Sequence, residues 1–92
     1  MVSAFVMIQA EPARIAPLAG ELAEVDGVAE VYSVAGDDDL VAIVRVRHHD
    51  ELAEVVTQRI AALEGIEATR TLIAFRAYSR HDLETMWSLG EE

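Results

Sequence analysis

The sequence predicts a small α+β sandwich with the element order β-α-β-β-α-β. This is the ferredoxin-like arrangement, an antiparallel sheet carrying two helices on one face. Three observations lead there. The 92 residues fit one compact domain and leave no room for two. Four β-rich runs alternate with two runs of helical apolar spacing in that order. A weak internal repeat relates the halves: EVDGVAEVYSV at 24–34 parallels ALEGIEATRTL at 62–72, each a helix end, an acidic residue, a glycine, a β-branched residue and a strand.

The elements follow in turn. VSAFVMIQA, residues 2–10, carries no turn residue and reads as a buried strand. In EPARIAPLAGELAEVDG, Ile15, Leu18, Leu22 and Val25 recur at helical spacing and make one apolar stripe. Pro12 and Pro17 fall in or near the first turn, where backbone N–H groups have no intrahelical partner. Gly27 is placed to end that helix. VAEVYSVA at 28–35 and LVAIVRVR at 40–47 form a hairpin around GDDD. In its second strand Leu40, Ala42, Val44 and Val46 point one way, toward helices. Val41, Ile43, Arg45 and Arg47 point the other, a half-wet or subunit-facing side. HHDELAEVVTQRIAALEG is the second helix, with Asp50 as N-cap, a stripe of Leu52, Val55, Val56, Ile60 and Leu63, and Gly65 at its end. IEATRTLIAFR, residues 66–76, is the fourth strand. SRHDLETMWSLG is a short terminal helix with Ser79 and Asp82 at capping-box spacing and Leu83, Met86 and Trp87 on its buried side.

Composition narrows the function. Hydrophobic residues make up 52% of the chain, rich for a domain with so much surface to cover, and imply apolar area covered by another subunit. That area is the sheet face away from the helices, with Val41, Ile43, Ile73 and Phe75 expected on it. The net charge is −10 and all seven basic residues are arginine, a poor match for phosphate backbones or anionic lipid, so direct nucleic-acid and membrane binding are not expected. Without cysteine there is no disulfide, thiol catalysis or cysteine metal site. MVSAFVMIQAEP lacks a basic leader and is too short to span a membrane, so a soluble cytoplasmic protein is expected.

The run VDGVAEVYSVAGDDDLVAIVRV, then HDELAEVV, then ALEGIEATRTLIAF, resembles the effector-binding domain of the Lrp/AsnC (feast/famine) regulators, also called the RAM domain. The resemblance covers residues 2–76. Its first signature is a strand, a glycine, two variable residues, an aspartate and an apolar strand, here Val34-Ala35-Gly36-Asp37-Asp38-Asp39-Leu40-Val41. Its second is Leu63-Glu64-Gly65-Ile66 with Thr69 and Thr71. The resemblance implies a dimeric α+β barrel type of fold, a RAM domain at 1–78, and a C-terminal helix and tail at 79–92. Two departures stand out. The family's N-terminal helix-turn-helix does not precede the domain here, which suggests a stand-alone version. Asp38 takes a position that is bulky or aromatic in the family.

The resemblance also weights the three aspartates. Family effectors, amino acids, bind between dimers near the loop joining strands two and three. Gly36 would supply an unobstructed backbone there. Asp39 matches the family aspartate and would hold the effector's ammonium group by a charge-assisted hydrogen bond. Thr69 and Thr71 would contribute hydroxyls from a neighbouring subunit, and Tyr32 completes the candidate set. Turn chemistry alone is the competing account of Asp39. Asp37 and Asp38 are expected as a solvated loop tip. The aspartates lack the spaced ligands of a calcium loop, and His48, His49 and His81 lack metal spacing, so no metal and no cofactor is implied. Arg45, Arg47, Arg70 and Arg76 are expected to pair with carboxylates across subunits.

The implied function is a non-enzymatic module linked to transcription. It would form homodimers, assemble them into an octamer or similar ring, bind an amino-acid-like effector, and co-assemble with a full-length regulator of the family. Two alternatives stand beside it. One is a structural oligomer with a degenerate pocket. The other is a small monooxygenase or isomerase of the same architecture, against which the Leu, Ile and Val of the helical stripes offer no acid–base pair.

Overall fold

The computed structural model describes residues 1–80. Strand β1 (Val2–Ala10) leads through a 3₁₀ turn (Pro12–Arg14) into helix α1 (Ile15–Ala23). Strands β2 (Val28–Ser33) and β3 (Leu40–Val46) form the hairpin. Helix α2 (His49–Glu54) runs on into a π-helical stretch (Val55–Ile60), and strand β4 (Ile66–Ala74) closes the fold. The sheet order is β2-β3-β1-β4, and each pairing is antiparallel. This is the ferredoxin-like sandwich in both order and topology.

The central strands carry the core. Ala4, Val6 and Ile8 of β1 and Leu40, Ala42 and Val44 of β3 are fully buried, and Val46 nearly so. They meet Leu18 and Leu22 of α1, and Leu52, Val55 and Ile60 of the second helix. Val55 and Ile60 are five residues apart, a spacing that an α-helix splays and a π turn brings onto one side. Burying each large aliphatic side chain of this set is worth about 1.5–3 kcal/mol. The ion pairs sit on the surface, where such pairs are worth about 0–1 kcal/mol. Apolar burial therefore holds the fold.

Residues directly opposite one another in an antiparallel pair share a face. Phe5 pairs with Ile43 and with Leu72, and Met7 with Val41 and with Arg70. The face without helices thus carries Tyr32, Val41, Ile43, Phe5, Met7, Arg70 and Leu72. Ile73 does not join it as expected, because it pairs with buried Ala4 on the helix side. The sequence misleads here because β4 alternates without a clean apolar phase: Thr69, Thr71 and Ile73 on one side, Ala68, Arg70 and Leu72 on the other. Phe75 lies beyond the end of β4 in a fully exposed bend.

Smaller expectations shift as well. Asp50 is not the N-cap of α2. His48 holds that place in extended conformation, and Asp50 and Glu51 occupy the first turn, where negative charge complements the helix dipole. Pro12 starts the 3₁₀ turn and Pro17 is the third residue of α1, both still at the helix entrance. The terminal helix expected from Asp82, Leu83, Met86 and Trp87, and His81 with it, falls outside the described residues.

Gly27 and Gly65 do not cap the helices as expected, since Glu24 and Ala61 take the C-cap places; both lie in the turns that lead into β2 and β4. Gly27 has a φ of +99°, and a Cβ there would come within 2.6 Å of Val55 Cγ2. Conformation and packing both require glycine. Gly20, in the exposed side of α1, has nothing within 4 Å of where its Cβ would be. Two alanine substitutions should therefore act in opposite directions. Gly27→Ala should lower stability by about 1–3 kcal/mol through strain and the clash. Gly20→Ala should raise it by about 0.5–1 kcal/mol through helix propensity. Urea midpoints of the two variants, compared at an unchanged slope, check both signs.

Candidate functional site

The β2–β3 loop is built onto the end of β1. Gly36 has a φ of +126°, and a Cβ there would meet open space, so the turn needs glycine for its backbone and not for room. Behind it the Val34 N–H donates to the Asp39 carbonyl at 3.0 Å, and the Asp39 N–H donates to the Ile8 carbonyl at 2.8 Å. The Gln9 side-chain amide donates to the Asp37 carbonyl at 3.3 Å. The loop is thereby held over β1.

Asp39 has a defined task in this arrangement. The β1–β4 register slips between Gln9 and Ala10, so that Gln9 pairs with Ala68 while Ala10 pairs with Ile66. At this irregularity the Ala10 N–H turns to the Asp39 carboxylate and donates to Oδ2 at 2.9 Å in a part-buried setting. Asp39 thus satisfies a backbone donor 29 residues away. That is neither a local turn contact nor, in itself, a ligand contact.

Asp38 is no solvated loop tip. Only 13% of its side chain is exposed, and its Oδ2 accepts from Arg70 Nη2 at 3.2 Å. Sequence reasoning missed this pair. The available signal was Arg70 itself, a charge at the midpoint of β4, a strand that pairs with apolar β1. Beside the pair lies a cavity of about 390 Å³, lined by Met7 and Gln9 of β1, Asp37 and Asp38 of the loop, and Ala68, Thr69 and Arg70 of β4. It sits at the loop end of the helix-free face.

The candidate residues are only partly gathered there. Thr69 borders the cavity, and Asp38 brings the loop of Gly36 and Asp39 against it. Thr71 lines a separate hollow of about 220 Å³ on the helix side, with His49, Leu52, Ala53, Val56, Thr57 and Ile73. Tyr32 is half exposed on β2, and its hydroxyl donates to Glu30 Oε2. Arg45 donates to the other oxygen of Glu30 at 3.2 Å. Arg45 and Arg70 therefore find their carboxylates within the chain, where pairing across subunits was expected. The hydrogen bond from Tyr32, and after it the one from Arg45, holds the Glu30 carboxyl below its ordinary range. The hydrogen bond to Glu30 and its negative charge push the Tyr32 phenol above its own. Among the described residues no three His, Asp or Glu side chains converge as a metal site, and no helix is long and apolar enough to cross a membrane.

Comparison with known proteins places the chain. A family model described as the Lrp/AsnC ligand binding domain matches residues 3–83, and the chain belongs to that family. Among curated relatives, the HTH-type transcriptional regulator FL11 of Pyrococcus furiosus is 28% identical over 75 residues, 82% of this chain and 49% of FL11. The chain spans about half the length of the curated relatives it matches. Among solved structures, TTHA0845 of Thermus thermophilus is 54% identical with a TM-score of 0.82, covering 87% of this chain and all of that one (100%). A feast or famine regulatory protein of M. tuberculosis, solved in complex with L-methionine, is 33% identical with a TM-score of 0.70, covering 87% of this chain and 54% of that one.

The Tyr32–Glu30–Arg45 set makes a pH prediction. Glu30, with its value lowered in the fold, contributes stability above its ordinary value and loses it as pH falls through the lowered one. Tyr32, with its value raised, contributes below the ordinary phenol value and loses it as pH rises through the raised one. Replacing Tyr32 by Phe should return the Glu30 titration part of the way toward the ordinary glutamate range, as followed by NMR of the side-chain carboxyl. An unmoved Glu30 titration would show that Arg45 alone sets it.

Proposed function

We propose that this domain is a ligand-sensing regulatory module that binds a small amino-acid-like effector beside the β2–β3 loop. The observation that carries the proposal is the cavity itself. It opens at the edge of a sheet face that bears exposed Phe5 and Leu72 beside Met7, Val41 and Ile43. A second copy packed on that face would shield its apolar groups and leave the loop cavity near the boundary between subunits. A ligand held at such a boundary biases one assembly over another, which is the physical content of effector control. The L-methionine bound by the M. tuberculosis relative supports an amino acid as the ligand class.

In this proposal Gly36 and Asp39 form the loop side of the site, Thr69 borders it from β4 of the same chain, and Tyr32 flanks it; Thr71, in the helix-side hollow, takes no part. Dimers associate further into a ring such as an octamer. Contact with DNA comes from a full-length regulator of the family that co-assembles with this domain. No residue is assigned a catalytic role. Asp39 keeps its structural task and offers its remaining lone pairs to the ligand's ammonium group.

Native mass spectrometry with the twenty amino acids tests the whole proposal. The expected result is an oligomer of dimers that gains one small mass per site. An oligomer that ignores every amino acid would remove the effector and leave a scaffold.

Asp39 separates its two tasks by substitution. Asp39→Ala should cost about 1–3 kcal/mol, because the Ala10 N–H loses its partner, and should abolish effector binding. Asp39→Asn keeps an acceptor for that N–H, so it should retain most of the stability and the dimer while still losing the effector. Effector affinity unchanged in Asp39→Asn would count against the carried-over role.

A further inference from the structure

The Asp38–Arg70 pair has no place in the residue set above, yet both residues line the cavity. Its exposure is lopsided: 13% for the Asp38 side chain, 66% for that of Arg70. The pair is made through one guanidinium nitrogen, Nη2, at 3.2 Å. A guanidinium carries five N–H donors in a planar fork and grips a carboxylate best through two of them. A single contact on a mostly exposed fork is therefore an incomplete bond that another carboxylate can improve on. Asp38 is anchored differently. Its neighbour Asp37 is tied to Gln9 through the backbone, and its neighbour Asp39 is tied to Ile8 and Ala10. The carboxylate of Asp38 stays in place while Arg70, on the edge strand β4, has room to turn.

From this we infer that Asp38 and Arg70 are the two poles of a clamp for the zwitterionic head of a free α-amino acid. The assignment rests on the effector reading above and deepens it. Arg70 exchanges its single contact with Asp38 for the ligand's carboxylate. Asp38, relieved of its partner, accepts one N–H of the ligand's ammonium group, which leaves the other two N–H groups for Asp39 and the Gln9 side-chain oxygen. The four charges of Asp38, Arg70 and the ligand then alternate in sign and sum to zero. A ligand with only a carboxylate would take Arg70 and strand the enclosed Asp38 without a partner. A ligand with only an amine would compete with Arg70 for Asp38. Both leave a charge uncompensated in a partly enclosed site, which is unfavourable. Asp37, also on the cavity wall, adds negative potential that disfavours a lone anion further.

The test is calorimetry on the whole chain with L-leucine and L-methionine, and with two leucine analogues that each lack one charged group, 4-methylpentanoate and 3-methylbutylamine. The wild type should bind at least one of the amino acids and discriminate against both analogues. Arg70→Gln should weaken amino-acid binding by about tenfold to a hundredfold, the usual effect of losing a charge-assisted hydrogen bond. Asp38→Asn supplies the readout that a merely structural role would not move. It should weaken the amino acid yet strengthen 4-methylpentanoate relative to wild type, because Arg70 is set free. Circular dichroism confirms that each variant remains folded, and Arg70→Lys provides a gentler second variant. Unchanged amino-acid affinity in Arg70→Gln and Arg70→Lys, or no gain of 4-methylpentanoate in folded Asp38→Asn, overturns the clamp while leaving the effector reading intact. A wild type that binds neither of these two probes overturns the clamp as drawn, and one that binds none of the twenty amino acids overturns the effector reading with it.

Discussion

The structure depends on the burial of one side of β1. Ala4, Val6 and Ile8 lie between two neighbouring strands and beneath both helical units, with no exposed area at all. Because β1 is central in the order β2-β3-β1-β4, its register sets the faces of β3 and β4 together. A slip of one residue would turn those three side chains onto the other face and break the core. Everything outside the core, the loop included, is positioned by that constraint.

The same strand organises the site. Where its pairing with β4 becomes irregular, at Gln9 and Ala10, it needs polar partners that the ladder no longer supplies. The β2–β3 loop provides them: Asp39 receives the Ala10 N–H, and the Asp37 carbonyl receives the Gln9 amide. The irregularity thus explains why an acidic loop sits against an apolar strand end. It also explains why the cavity forms there, since the loop is fastened beside β4 without closing onto it. Charge plays a secondary part in stability and a primary one in placement. In a chain of net charge −10, Arg45 and Arg70 each hold one carboxylate on the helix-free face. The Arg45–Glu30 pair adds little energy at its exposure, yet both pairs orient the groups around them.

Membership in the Lrp/AsnC ligand-binding family agrees with this division of labour. The helix side of the sheet is packed with aliphatic side chains. The other side keeps an apolar area and a polar hollow at its margin, features suited to association and recognition.

The sequence alone determined the element order, the helix stripes, the buried phase of β1 and β3 and the glycine turns that follow the helices. Those are local patterns: periods of two or 3.6 residues, and backbone conformations that glycine adopts without strain. Only the tertiary structure decided which face each β4 residue takes, because a strand of mixed Thr, Arg, Leu and Ile has no clean apolar phase to read. Only it turned Val55–Ile60 into a π stretch, since the choice rests on what the side chains meet across the core. Only it paired Asp38 with Arg70 and Asp39 with Ala10, partners 32 and 29 residues apart. Adjacent aspartates look alike along the chain. They acquire different environments only when the sheet brings different strands against each of them.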